Sequence, residues 1–177
     1  ARCLALDWPR LYDRTAQLTA LKGLFVGQSA LGATPKDLAA LLDLALPLLD
    51  HVTFDDGGHK SRMPDIHLKL MRDLVEIRNA ASSSGIGTLS KLDKKINQMA
   101  AVSRMWRHAD GQFVRFNGAG MMAIEIIEET LARAGQRGKV LQQAPCSGFV
   151  RFSSGRSTVI MDSGSPQTSA AVTGYGT

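Results

Sequence analysis

The hydrophobic period of this chain changes once, and that change constrains its architecture more than any motif. From Asp13 to about Ala134 apolar residues recur at three- and four-residue spacing, as in amphipathic helices; beyond Lys139 they alternate at every second position, as in strands. Leu18, Leu21, Phe25 and Gln28 form a first stripe. Thr34 is suited to cap a second helix, with Pro35 at its first position and Asp37 three residues after the cap, ahead of Leu38, Leu41, Leu42, Ala45, Leu48 and Leu49. A third helix is expected from about Pro64 to Ala81, with Leu70, Leu74 and Ile77 on one face and Lys69, Arg72, Asp73 and Glu76 on the other. A fourth runs from about Leu89 to Arg107 through Leu92, Ile96, Met99, Ser103 and Trp106; the Trp and the Met residues read as core. Asn117 can cap a fifth, which passes Met122, Ile126, Ile127 and Leu131 and stops at Gly135.

The second period gives a hairpin: Phe149-Val150-Arg151-Phe152, a turn at Ser153-Ser154-Gly155, then Ser157 to Asp162. Two strands alone are marginally stable, so a larger sheet than the chain contains is expected, and the chain reads as a piece truncated at its C-terminus. Its domains are then a helical region, 1–138, and the start of a strand-bearing domain, 139–177.

Composition excludes several classes. With 44% apolar and 21% charged residues, and no apolar run near the length that crosses a bilayer, the 177-residue chain reads as a soluble globular protein. A net charge of +5 suits an acidic polymer, but the basic residues are dispersed, as at Lys91, Lys94 and Lys95, and aromatic residues are only 6%, too few for base-stacking platforms; no nucleic-acid partner is expected. Cys3 and Cys146 offer no metal-binding spacing and read as unpaired thiols. No metal or other cofactor is expected, and the first residues carry no readable export signal.

Chemistry concentrates at one corner, Asp55-Asp56-Gly57-Gly58-His59-Lys60-Ser61-Arg62-Met63-Pro64-Asp65-Ile66-His67, where acids, bases and two histidines surround a Gly-Gly turn ahead of the third helix. His59 is the first candidate for proton transfer, because an imidazole titrates near neutrality; alternatively it hydrogen-bonds its own corner. Arg62 can clamp a carboxylate with its forked guanidinium, or pair with Asp55, Asp56 or Asp65. Asp56 reads as an orienting or loop-capping residue. His67, three before Leu70, falls on the apolar face, where a satisfied core histidine competes with a ligand role. In the second polar loop, His108 and Asp110 can form an acid and its orienter, or Asp110-Gly111 a plain turn; Asn117 is a cap first and a substrate contact second.

With Leu21-Lys22-Gly23-Leu24 upstream of Asp56 to Pro64, the chain resembles the heparinase II/III-like polysaccharide lyases, especially a bacterial subgroup. Leu70 to Arg78, Arg107 to Gly111, Phe116-Asn117-Gly118, Ser147-Gly148-Phe149, Gly155-Arg156 and Val159 to Gly164 extend the resemblance over nearly all of the sequence. It implies a mainly α fold, part of an α/α toroid of paired antiparallel helices followed by the first strands of an antiparallel β-sandwich. It implies β-elimination on a uronate-containing acidic polysaccharide in the periplasm or cell envelope; for that chemistry the catalytic candidates are His59, Arg62 and His108, and the substrate-binding ones Lys60, His67 and Asn117. The chain departs from the family at Thr15, Ala16 and Ile66, where an Asn-His pair and a Tyr are usual. Either the chemistry is rebuilt, or the protein binds glycan without cleaving it.

Overall fold

The computed structural model describes residues 7–87, 89–135, 138 and 140–165; Cys3 and the tail beyond residue 165 lie outside them. Five helices come first: α1 (Arg14–Ala30), α2 (Pro35–Val52), α3 (Pro64–Ser83), α4 (Ser90–Met105) and α5 (Ile124–Ala134). Three strands follow, β1 (Gln143–Ala144), β2 (Phe149–Ser154) and β3 (Ser157–Asp162), in one antiparallel sheet of order β1-β2-β3.

Helix starts are dictated locally. Asp13 accepts from the Thr15 and Ala16 N–H groups at the head of α1, and Thr34 and Asp37 complete a reciprocal capping box at the head of α2. Pro64 opens α3, where a missing N–H costs nothing. Gly135 ends α5 in the left-handed region, φ 92°.

Helix α3 is central: it packs against α1, α4 and α5, while α2 packs on the far side of α1. One continuous core joins Leu18, Leu21 and Phe25 of α1 to Leu68, Met71 and Leu74 of α3 and Ile96 and Met99 of α4, and reaches Phe149 of β2. Arginines tie helix ends to their neighbours. Arg151 of β2 donates to the carbonyls of Met105 and Arg107 at the end of α4 (2.8 and 2.7 Å), and Arg78 of α3 to that of Ala134 at the end of α5 (3.2 Å). Cations favour these carbonyl-rich termini. Between α1 and α3, Lys22 bridges Glu76 (2.8 Å) and Asp73 (3.2 Å), and the Glu76 bond raises its pKa.

One expectation needs correction, and another is met only in its coarser part. The described residues are mainly helical with one small three-stranded antiparallel sheet, as expected, and neither a toroid nor a β-sandwich is shown among them: five helices gather on α3, and the three strands form a single sheet. Asn117 caps nothing, since α5 begins at Ile124 behind Ala123; Asn117 itself sits at φ 54° and turns its amide toward another partner. The hairpin runs as the alternation implies, from Phe149↔Asp162 to Ser154↔Ser157, but β1 was not legible because two residues carry no period.

Candidate functional site

The Gly-Gly corner is a tight two-sided turn. Phe54 N–H donates to the Gly58 carbonyl (2.7 Å) and Lys60 N–H to that of Val52 (2.8 Å), so the chain doubles back before α3. Gly57, at φ 93°, lies so close to α4 that a Cβ would stand 2.5 Å from the Gln98 carbonyl carbon; a Cβ on Gly58 would stand 2.6 Å from that of Ser147. The two glycines therefore let the corner nest between α4 and the loop preceding β2. Asp56 fastens that contact: one carboxylate oxygen accepts from Gly58 N–H (3.0 Å), the other from the N–H and hydroxyl of Ser147 (2.7 and 3.0 Å).

The two histidines form a relay of structural bonds. His59, 5% exposed, accepts at Nδ1 from the Ser61 N–H (3.0 Å), which places its own proton on Nε2, facing the Thr15 hydroxyl at 3.2 Å. Its backbone N–H donates to Nδ1 of His67 (3.3 Å), so His67 likewise carries its proton on Nε2 and donates it to the Met99 carbonyl (3.0 Å), with Ser103 Oγ at the same distance. Burial lowers the pKa of His59 to about 4, opposed by the charge of Asp13. Burial lowers that of fully enclosed His67 to about 3, opposed by the Met99 carbonyl. Both rings are neutral at pH 7, and their four nitrogens all have partners. Together they link α1, the corner, α3 and α4.

Arg62 begins a second group. At φ 56° it occupies the left-handed region unusual for a residue with a side chain, and its guanidinium is buried. The partner is none of the nearby acids but Asp162 at the end of β3, with the Ser165 carbonyl beside it. The guanidinium carbon lies 5.5 Å from the centroid of Phe149, and a Cβ on Gly164 would stand 2.5 Å from the fork, so only glycine admits it. Asn117 closes the group by donating to the Arg62 carbonyl (3.1 Å) and to Asp162 (2.9 Å). Beneath both groups, Trp106 meets His67 (4.8 Å), Phe113 (6.3 Å) and Phe149 (5.0 Å) edge to face.

The structure thus brings His59, Arg62, His67 and Asn117 into one continuous network. Lys60 stands beside it with an exposed side chain. His108 is exposed on the α4–α5 connection, its backbone bonded to the Gln112 carbonyl (2.8 Å), and no described hydrogen bond joins it to the corner. Asp162, Ser147 and Phe149 complete the site and were not singled out by residue chemistry. Their signal lay in the glycines that neighbour them, Gly148 and Gly164, which permit the close approach. Among the described residues no group of His, Cys, Asp and Glu is arranged to hold a metal ion, and no helix is long and apolar enough to cross a membrane.

Comparison with known proteins points away from the lyases. Over 163 residues the chain is 28% identical to FtsZ-localized protein C of Caulobacter vibrioides (strain NA1000 / CB15N), covering 91% of this chain and 28% of that protein. The chain therefore spans little more than a quarter of that relative's length. No family model matches the chain, and no solved structure does. The heparinase II/III-like assignment, the lyase function and the acidic-polysaccharide partner are corrected accordingly: the relative is named for localisation with FtsZ, and nothing in the match indicates a lyase. The short motifs behind the resemblance have a plainer physical basis. Asp56 with Ser147, Gly57 with Gln98, and Arg62 with Gly164 are mutual packing partners of this fold.

Proposed function

We propose that this chain is a protein-docking module that localises with FtsZ. The observation that carries the reading is the similarity to FtsZ-localized protein C along 91% of the chain. The use of polar groups at the corner supports it. His59, His67, Arg62 and Asn117 are engaged in bonds between elements and hold the α4 end, the corner and the hairpin in register. In this reading they position a surface, and the partner is a protein.

The test is a fluorescent fusion of the chain imaged together with labelled FtsZ in its native cells, paired with binding of the purified chain to purified FtsZ by anisotropy. Co-localisation with saturable binding is expected. A fusion that ignores the position of FtsZ, together with no measurable binding, overturns the proposal.

A further inference from the structure

The chain has three asparagines, and only Asn117 precedes a glycine. Asn79 and Asn97 lie inside α3 and α4, where the N–H of the following residue is committed to the helix ladder. Asn117 and Gly118 lie in the connection between α4 and α5, with Asn117 half-buried and Gly118 exposed. Because Gly118 has no Cβ, nothing shields its backbone nitrogen from the carboxamide beside it, and among the described residues its N–H donates to no backbone carbonyl. An asparagine in that setting is chemically labile.

The clasp restrains the reacting group. Nδ2 of Asn117 donates to the Arg62 carbonyl at 3.1 Å and to the Asp162 carboxylate at 2.9 Å, so both amide protons are used and the plane of the carboxamide is set. Attack by the Gly118 nitrogen requires the side-chain carbonyl carbon to swing over that nitrogen, a rotation the two bonds oppose. Asp162 belongs to β3, so the restraint lasts only while the hairpin is seated.

We propose that Asn117-Gly118 is a site of spontaneous deamidation gated by the hairpin, and that its product keeps the hairpin from reseating. With Asp162 withdrawn, the Gly118 nitrogen gives its proton to hydroxide and attacks Cγ of Asn117; the new N–C bond closes a cyclic imide, and the side-chain nitrogen leaves as ammonia. Water then opens the imide at either carbonyl, giving aspartate or the isomer whose main chain runs through the former side-chain carbon. The loss of ammonia makes the change one-way. Either product puts a carboxylate where the amide donated, facing the Arg62 carbonyl and the Asp162 carboxylate, with no proton to offer them. The guanidinium that could neutralise it is engaged by Asp162 and the Ser165 carbonyl. The isomer also lengthens the backbone of a residue held at φ 54°. A molecule that has opened at the clasp is thereby permanently marked. The inference concerns the clasp alone and does not depend on any partner.

The readout is the tryptic fragment Phe116 to Arg133, which holds Asn117 and no other amide side chain. The chain is incubated at mildly alkaline pH in buffer and in guanidinium chloride, and mass spectrometry follows the conversion of amide to acid, with isoaspartate resolved by chromatography. Conversion should be at least about tenfold slower in buffer, because it waits for the clasp to open. Asp162→Ala should convert faster than the parent chain while keeping its helical circular dichroism. Asn117→Asp should unfold at a lower denaturant concentration than the parent. Equal rates in buffer and denaturant overturn the proposal, and so does a denatured chain that does not convert. An Asp162→Ala chain that stays folded and converts no faster removes the gate, and an Asn117→Asp chain as stable as the parent removes the one-way product. If Asp162→Ala loses its helices, the parent chain at intermediate denaturant decides. Conversion that rises with hydrogen exchange at residues 157–162, ahead of helix loss, is then expected; conversion that rises only as the helices melt overturns the gate.

Discussion

The corner and the hairpin use their side chains in opposite ways. At the corner, groups that would be reactive in water are enclosed and bonded to one another, as with His59, His67 and Arg62; at the hairpin, groups that would ordinarily be enclosed face outward, as with Phe152, Val159 and Met161. Ionisable residues gathered on a glycine turn thus mark a joint in this chain, and the outward face of the hairpin is the apolar one.

Acid offers the strongest test of that contrast. Both folded histidine pKa values, about 4 and about 3, lie below the ordinary 6.5, so between about pH 3 and 6.5 the unfolded chain binds more protons than the folded one. Stability is full above pH 6.5 and falls as pH drops through that window. His59 alone accounts for a loss on the order of 3 kcal/mol, and His67 adds to it. Urea titrations at pH 7 and pH 4 measure the loss, and hydrogen exchange should show opening at residues 53–67. Equal midpoints at the two pH values would remove the corner's claim to be held by neutral imidazoles.

The buried clasp comes next. Asp162→Ala leaves the Arg62 guanidinium enclosed without its carboxylate and should cost about 3 kcal/mol, read from thermal or urea unfolding. Replacing both residues by apolar ones of similar size should cost less than the single change, because no charge is then stranded. If the double variant is the less stable, the pair contributes more than mutual neutralisation.

Glycines sharpen the comparison at a smaller scale. Gly57 and Gly155 both have positive φ, 93° and 55°, but only Gly57 is hemmed in; nothing lies within 4 Å of a Cβ on Gly155. Gly155→Ala should cost about 1 kcal/mol from backbone conformation, and Gly57→Ala about 1–3 kcal/mol more because α4 must shift. Similar losses at the two sites would mean that α4 yields easily to the corner. Smallest of all, Met161→Lys on the outer face should change stability by no more than about 0.5 kcal/mol. A larger loss in urea unfolding would show that the outward face supports the fold.

Much of the helical body was legible because its signals are local. The Thr34–Asp37 capping box, Pro64 at the head of α3 and the period-two run of the hairpin each depend on neighbours a few residues apart. Asn117 misled for the same reason: a residue type that caps helices was read locally, while its partners, Arg62 and Asp162, are 55 and 45 positions away. The nearby Asp55, Asp56 and Asp65 were natural candidates for Arg62, and no periodicity points from Arg62 to Asp162. Asp56 was legible as a loop-capping residue through its bond to Gly58, but its tie to Ser147, 91 positions on, was not. Local chemistry found the corner, and distant contacts decided what the corner does.

The clasp between positions 62 and 162 also orders events during synthesis. Arg62 leaves the ribosome 100 residues before Asp162, seconds earlier at ordinary elongation rates of roughly 5–20 residues per second. For that interval the helices can gather on α3, but the mouth of the corner stays open to water, with its guanidinium unpaired. The hairpin is made last among these elements, and a chain interrupted before Asp162 lacks the carboxylate that faces the enclosed Arg62 guanidinium.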